Sequence, residues 1–440
     1  MRPVKKRIIF YLSLLCLISV MLFSACSPFD FFSADDLLKP PKLTGEQAQL
    51  QHEFEAAVGD NVALLSPLTG DYRSAYIICD TNADGSEEAV VFYMNGGADK
   101  IIHMHLLEKI GSEWRSADDI TGSGSEVYKV EFCNLDNDSS LEIAVTWTVS
   151  DTKRDKTVTV YKLSDSGSGA FKFNPLATFQ IFDYIIINAD ADGINELFYL
   201  YYDTANEKAG AYVRMLKFSE KETTLIPMSE VKLSSLITSL VSFRYDVKAD
   251  SIELFIDCLA GENTYFSEIV VYDKNAHSMS CPIEALGLDP LTLTKRSSAM
   301  LSSDVNDDGL IEIPVELVSS QSYEYVGEET EKKPLTLYDW ERFESGSMIS
   351  IKKYFISTLY GFKICLDPLN DIVYIVYDRS VGEIRFMSRA AETEGELLFV
   401  ITEKPSGDSI HGNELPYSVE ITEAGKAQGM TDTFVGTLIE

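Results

Sequence analysis

The chain has 440 residues, of which 45% are hydrophobic, and its 69 Asp and Glu against 37 Lys and Arg give a formal net charge of −32. The hydrophobic fraction suffices for a packed core and argues against general disorder. Because so acidic a surface repels the phosphates of nucleic acids and anionic lipid headgroups, neither is an expected partner.

The N-terminus predicts an export signal with a lipid attachment site. Four basic residues within the first seven precede an almost unbroken apolar run from Ile8 to Phe23. The sequence Leu-Phe-Ser-Ala-Cys, which ends at Cys26, resembles the lipobox of bacterial lipoproteins, where the Cys is lipidated and becomes the new N-terminus. We therefore expect residues 1–26 to be a lipoprotein signal and the protein to be lipid-anchored to the outer face of a bacterial membrane. A plain signal peptide or a membrane anchor is the alternative.

Two segments of different composition follow the signal. Residues 27–44 contain Pro28, Pro40 and Pro41 and predict a tether. Residues 45–58 mix polar and apolar residues at helical spacing, which predicts one helix ahead of the first repeated unit.

An acidic loop of nine residues then occurs four times, with the pattern D/N-x-D/N-x-D-G-x-x-E and Ser139 in place of Gly in the second copy. Oxygen-bearing side chains at positions 1, 3, 5 and 9 suit a hard cation, and Gly permits the sharp turn that folds them around it. The pattern therefore predicts three to four structural calcium ions, with the backbone carbonyl of position 7 as a further ligand. The expected ligands are Asp80, Asn82, Asp84, Ser86 and Glu88; Asn134, Asp136, Asp138, Ser140 and Glu142; Asn188, Asp190, Asp192, Ile194 and Glu196; and Asp304, Asn306, Asp308, Leu310 and Glu312.

The spacing of the loops predicts a repeated β architecture. The loops start 54, 54 and 116 residues apart, and a degenerate copy at Asp246–Glu253 divides the last interval equally. In that copy we expect the ammonium of Lys248 to neutralise Asp246 and Asp250 in place of an ion. Runs of β-branched and aromatic residues flank each loop, and about four strand candidates fall in each unit. Residues 45–356 thus predict a β-propeller of five four-stranded blades with an N-terminal helix, or six blades if the flanking segments add strands.

The C-terminal part of the chain breaks this rhythm. From residue 357 to residue 440 no loop of the repeated type occurs, although strand candidates continue. We expect a small separate α+β or β-rich domain there.

The acidic loops resemble those of FG-GAP or VCBS repeats, which build integrin-α-like propellers. The resemblance covers about residues 70–355, is specific in the four loops and is absent from the tail. It implies structural calcium and a binding or adhesive role at the cell surface, with the fourth unit departing from the pattern.

The sequence predicts no catalytic centre: it contains no nucleophile elbow, no phosphate-binding loop and no zinc-protease motif. His103 and His105 share one face of a predicted strand, and could hold a transition metal, although such a pair is more typical of a structural role. We expect a non-catalytic module that binds a protein or a glycan through the propeller face opposite the acidic loops. A carbohydrate-active enzyme on a propeller scaffold and a structural subunit of an envelope complex are the alternatives. The loops expected on that face are Asn95–Lys100, Ser150–Lys156, Asp203–Lys208, Gly261–Thr264 and Ser319–Pro334.

Overall fold

The structure is a computed structural model. It describes residues 45–96, 100–149, 156–165, 167, 169–204, 209–326, 331–357, 362–369, 373–389, 395–403 and 417–439. The predicted signal, its lipidation site Cys26 and the tether lie outside these residues. Within the described ranges, no helix has the length and apolar character needed to cross a membrane.

The chain divides into two units, Met1–Val58 and Gly59–Glu440. The described part of the first unit is a single helix, α1 (Gly45–Val58), over the range that the spacing predicts. The second unit consists almost entirely of β-sheet, in which neighbouring strands are mostly antiparallel.

The first sheet differs from the next three in its opening strand. β1 pairs with residues 92–95 of β3 and β2 pairs with residues 88–91, so β1 and β2 are two halves of one interrupted strand. Its strands are β1 (Val62–Leu65), β2 (Tyr76–Cys79), β3 (Glu88–Asn95), β4 (Ile102–Ile110) and β5 (Glu113–Thr121).

The next three sheets each contain four consecutive strands in up-and-down order. The second sheet contains β6 (Glu126–Cys133), β7 (Glu142–Thr148), β8 (Lys156–Asp165) and β9 (Phe171–Ile181). The third contains β10 (Asp183–Ile187), β11 (Glu196–Asp203), β12 (Gly210–Ser219) and β13 (Thr224–Lys232). The fourth contains β14 (Ser239–Val247), β15 (Ser251–Ala260), β16 (Thr264–Asp273) and β17 (Ser278–Ser280), and is followed by the short helices α2 (Pro282–Ala285) and α3 (Pro290–Thr294).

The fifth sheet is larger because the C-terminal strands join it. β22 pairs in parallel with the end of β18, with Tyr323 beside Val376. The sheet contains β18 (Ile313–Val326), β19 (Glu331–Glu344), β20 (Ser347–Ser357), β21 (Phe362–Cys365), β22 (Val373–Asp378), β23 (Glu383–Ser388), β24 (Leu397–Glu403) and β25 (Tyr417–Ile421). A 3₁₀ turn (Asp367–Leu369) and the helices α4 (Glu423–Ala427) and α5 (Asp432–Leu438) complete the tail. The domain boundary at residue 357 stays a prediction, and the strands beyond it share this sheet with β18.

These sheets follow one another in chain order as the blades of a β-propeller, which confirms the predicted fold class. The hydrophobic core lies mainly between adjacent blades. Phe92 and Met104 of blade 1 pack in one cluster with Val145 and Trp147 of blade 2, and similar clusters join blades 2 and 3 and blades 3 and 4. Because both faces of an inner strand are covered, all seven residues of β7 are buried, which explains the continuous apolar runs in the sequence.

Candidate functional site

Three of the acidic loops connect the first two strands of blades 1, 2 and 3, with β1 and β2 counted as one interrupted strand, and the fourth directly precedes β18 of blade 5 and is closed by an isolated bridge between Ser303 and Glu312; we name the loops by blade. In each loop the side chain of position 3 accepts the N–H of position 5, whose own carboxylate accepts the N–H of position 7. In the blade-3 loop, Asp192 N–H donates to Asp190 at 3.3 Å and Ile194 N–H donates to Asp192 at 2.8 Å. The same two bonds recur in the other three loops. The loops are therefore compact turns built by their own side chains.

The glycine at position 6 has the conformation for which it was predicted in the loops that contain it. Gly193 has a φ of 94° and Gly309 a φ of 84°, in the left-handed region that disfavours other residues. The blade-2 loop has Ser139 at this position, and Ser139 is not among the described residues with positive φ. This loop therefore turns by a different backbone path.

The glutamate at position 9 is the buried anchor of each loop. Glu142 and Glu196 are both 0% exposed, and one oxygen of each accepts the N–H of position 2, at 2.7 Å and 2.8 Å. Glu88 and Glu312 make the equivalent bonds, to Thr81 at 2.8 Å and to Val305 at 3.0 Å. The other oxygen of Glu142 and of Glu196, Oε1, is buried and accepts no backbone N–H among the described residues. These oxygens therefore need a positive charge nearby.

In three blades that charge comes from the chain itself. The pairing of Ile143 with Tyr161 places Lys162 beside Glu142, and the equivalent registers place Lys217 beside Glu196 and Arg342 beside Glu312. The Lys217 ammonium lies 2.8 Å from Asp190, 2.8 Å from Asp192 and 2.9 Å from Glu196.

The other two cations make similar contacts. Lys162 contacts Asp136 and Asp138 and lies 3.7 Å from Glu142. Arg342 lies 2.9 Å from Asp308 and also contacts Glu312. The sequence interpretation missed all three cations, although a Lys 20 or 21 residues after the terminal Glu of two loops was a visible signal.

Burial and ion pairing act on the pKa values of these groups in different proportions. Burial raises the pKa of Glu142 to about 7, against the opposing effects of the Leu135 N–H and the Lys162 charge. Burial would lower the pKa of Lys217, but its bonds to Asp190, Asp192 and Glu196 raise it above the usual lysine value. The carboxylates of blade 2 and of blade 3 thus converge on an ammonium. Their oxygens lie within 4.8 Å of one another, so the same two clusters could hold a metal ion.

The blade-1 loop lacks this arrangement. The residue opposite Glu88 is Glu108, so a carboxylate occupies the position that is cationic in blades 2, 3 and 5. Burial raises the pKa of Glu88, and the charges of Asp84 and Asp80 raise it further. Asp80 Oδ1 is buried without a hydrogen-bond partner among the described residues. No cation of the opposing strand offsets these negative charges, although the blade-1 carboxylates, unlike those of blades 2 and 3, are not among the described clusters whose oxygens lie within 4.8 Å of one another.

Blade 4 has a short turn at the degenerate repeat, with Lys248 N–H bonded to the Ser251 carbonyl at 2.9 Å. Lys248 pairs with Glu253 at 2.7 Å rather than with the predicted Asp246 and Asp250. Asp246 instead accepts the N–H of Ile311 in the blade-5 loop at 2.7 Å. This hydrogen bond links blade 4 to the acidic loop of blade 5, in addition to the hydrophobic packing between blades.

The same link recurs between other loops. Leu141 N–H donates to the Thr81 carbonyl at 2.7 Å, and Asn195 N–H donates to the Asn134 carbonyl at 2.7 Å. In each case position 8 of one loop bonds to the loop of the preceding blade. The acidic loops therefore adjoin one another at one end of the strands.

A cavity of about 270 Å³ lies at the opposite end of the strands and is lined by residues of blades 2, 3 and 4. Its walls include aromatic side chains, of which Tyr202 is 47% exposed. The lining residues are Val149, Lys156, Gln180, Ile181, Phe182, Tyr201, Tyr202, Thr238, Ser239 and Leu240. Of the loops predicted for this face, residues 97–99, 150–155, 205–208 and 327–330 lie outside the described residues.

The prediction of a long loop at Ser319–Pro334 was wrong in part. β18 and β19 extend through this segment, and Tyr323 pairs with Pro334 on one side and with Val376 on the other. The segment connects the fifth blade to the tail strands because its backbone hydrogen bonds are made on both edges.

The histidine pair has hydrogen-bond partners within its own sheet. Asp119 accepts from His103 and His105 Nδ1, at 2.9 Å each, and from the Tyr93 hydroxyl at 2.8 Å. Although burial opposes it, these bonds lower the pKa of Asp119. The pair is thus explained as part of a cross-strand network.

Comparison with known proteins leaves the family open. No protein-family model matches the chain, and no curated protein matches it. A solved structure of a hypothetical selenium-binding protein from Sulfolobus tokodaii is 10% identical, with a TM-score of 0.29 over 48% of this chain, which spans about half (54%) of that protein. A 6-phosphogluconolactonase-like protein from Bacteroides uniformis is 11% identical, covering 75% of this chain and 85% of its own, with a TM-score of 0.30. An exo-β-1,3-galactanase from Phanerochaete chrysosporium is 10% identical, covering 79% and 82%, with a TM-score of 0.27.

Proposed function

We propose that the protein is an exported bacterial lipoprotein whose β-propeller, of the FG-GAP or VCBS kind, is a non-catalytic module that binds a glycan at the cell surface. The observation that supports this most is the aromatic-lined cavity at the end of the blades away from the acidic loops. Aromatic faces with a few polar groups are suited to sugar rings, and the cavity volume approaches the range of about 300–1,000 Å³ usual for ligand sites. A protein ligand is the other occupant that the test distinguishes.

We propose that the acidic end of the propeller is structural and uses two kinds of cation. Lys162, Lys217 and Arg342 neutralise the loops of blades 2, 3 and 5 from within the chain. Calcium neutralises the blade-1 loop, where Asp80, Asn82, Asp84 and Glu88 would hold it. The ion would supply charge neutralisation and cross-linking of the loop, and the stability that it adds grows with its concentration above the dissociation constant.

The export proposal depends on Cys26. Expression in a bacterial host followed by membrane fractionation tests it, because a Cys26→Ser variant lacks the acyl chains that hold the protein to the membrane. We expect the wild-type protein in the membrane fraction and the variant in the soluble exported fraction. Equal distribution of the two proteins would contradict lipid attachment at Cys26.

The binding proposal is tested by screening the purified protein against bacterial surface glycans and cell-surface proteins. We expect a glycan to bind and Tyr202→Ser in the cavity to weaken that binding. Tyr245→Ser is the matched control, since Tyr245 is similarly exposed (40%) but lies on β14 near the acidic end. Equal effects of the two substitutions, or turnover of the bound glycan, would contradict a non-catalytic site in this cavity.

A further inference from the structure

The cavity that blades 2, 3 and 4 line has a nearly buried lysine in its wall. Lys156 is only 8% exposed and opens β8, directly opposite Thr148 and Ile181 on the flanking strands. Its ammonium lies 4.5 Å from the centre of the Tyr128 ring and 5.6 Å from that of Phe182. The aromatic rings thus enclose the charge and hold it beside the cavity.

Lys156 has no ion-pair partner among the described residues. The other well-buried cations are paired: Arg296 lies 2.7 Å from Asp257, and Arg342 lies 2.9 Å from Asp308. Burial lowers the pKa of Lys156, and the charge of Asp183 offsets only part of that effect. Among the described residues, Lys156 is therefore a buried ammonium without a carboxylate in ion-pair contact, so part of its desolvation cost is left uncompensated.

A second buried polar group lies beside the lysine. Thr148 is 1% exposed, and its hydroxyl oxygen has no hydrogen-bond partner in the described part of the chain. Because directly opposed residues of antiparallel strands project to the same face, Thr148 and Lys156 share one face of the blade. Lys156 thus lines the cavity together with aromatic side chains, and the Thr148 hydroxyl, which has no partner among the described residues, lies beside it on the same face of the blade.

We propose that this cavity binds a sugar residue that carries a single carboxylate, such as a uronic acid, with Lys156 pairing the carboxylate and Tyr202 contacting the ring. The proposal rests on the proposed function as a glycan-binding module and specifies its ligand. The carboxylate supplies the negative partner that Lys156 lacks among the described residues, and charge-assisted hydrogen bonds of this kind are among the stronger ones.

The charge balance limits the ligand class further. A net charge of −32 disfavours densely anionic polymers, so the carboxylate is isolated on a ring whose other groups are neutral. A phosphate, with a second negative charge, is better matched by the forked donors of arginine or by several cations than by one ammonium. A carboxylate with one charge fits a single lysine.

Titration of the purified protein with methyl glucuronide, methyl glucoside and glucose 6-phosphate tests the proposal. We expect the glucuronide to bind at least about tenfold more tightly than the other two, which is the scale of one charge-assisted hydrogen bond. Lys156→Met removes that preference, while Lys156→Arg retains part of it. Lys172→Met is the matched control, because Lys172 is an exposed lysine of the same blade.

Each result is decisive. Equal binding of glucuronide and glucoside, unchanged in Lys156→Met, would overturn the carboxylate assignment while leaving glycan binding in place. Tighter binding of glucose 6-phosphate would also overturn it, since the site would then be a phosphate site. Failure of all three sugars to bind would overturn both this inference and the proposed glycan specificity. Retention of the wild-type melting temperature by Lys156→Met shows that any loss of binding is not a loss of fold.

Discussion

Replacing Lys217 with Met should destabilise the protein and make its stability dependent on calcium. The ammonium lies within 2.9 Å of oxygens of Asp190, Asp192 and Glu196, and Glu196 is 0% exposed. Removing one partner of a buried ion pair costs about 3–5 kcal/mol. Since the Lys217 side chain is 25% exposed and that of Asp192 40% exposed, solvent reduces the cost to about 2–4 kcal/mol.

Calcium should restore much of this loss, because the three carboxylates that remain are suitable oxygen ligands. At a hundredfold excess over the dissociation constant, a site formed only in the folded state adds about 2.7 kcal/mol. The assay is urea unfolding of the wild type and Lys217→Met, each in chelator and in calcium. Lys221→Met, which removes an exposed lysine from a turn of the same blade, controls for the change in net charge. An unchanged stability of Lys217→Met in chelator would refute the role assigned to the ammonium.

Three further predictions concern other buried charges. Glu108→Lys should supply blade 1 with the cation that blades 2, 3 and 5 possess, because residue 108 lies opposite Glu88. The melting temperature of this variant should therefore not change when calcium is chelated. A melting temperature that still falls on chelation would contradict the equivalence of the blades. Burial raises the pKa of Glu268 to about 7, so its carboxyl favours the folded state below its ordinary pKa and loses that contribution as pH rises through 7. The free energy of unfolding of Glu268→Gln, taken relative to that of the wild type, should therefore increase by about 2 kcal/mol between pH 5 and pH 8. Parallel pH profiles of the two proteins would contradict the raised pKa. Arg296→Met leaves the fully buried Asp257 unpaired and should cost about 3–5 kcal/mol in urea unfolding, whereas a loss below about 1 kcal/mol would show that the serines around Asp257 suffice.

The fold could be predicted because its signals are local. The acidic loops are short patterns such as Asp80–Glu88, and the runs beside them are continuous enough to be read as buried strands. Their regular spacing then gives the number of units. The interrupted opening strand of blade 1 and the joining of β22 to β18 depend on pairing between distant segments, which single-sequence patterns do not encode.

The candidate sites were predicted less completely for the same reason. The pattern identified the carboxylates of each loop, but the cations that neutralise the loops of blades 2, 3 and 5 come from the strand that pairs with the strand after the loop, at a position fixed by register. In the sequence, Lys156 stood out only as the last residue of an expected loop, Ser150–Lys156, because its burial arises from packing against Tyr128 and Phe182. Which oxygens bind calcium stays a prediction for all four loops.

A calcium count on the purified protein tests most directly whether the loops of this propeller have internal cations in three blades and an external one in blade 1. Equilibrium dialysis of the wild type should give one bound calcium ion per chain, and Asp84→Asn should remove it and lower the melting temperature in calcium. Three or four bound ions would contradict the assignment, because Lys162, Lys217 and Arg342 would then have to leave their loops. No bound ion, with melting unchanged by chelation, would equally contradict it and would make the blade-1 loop a solvated turn.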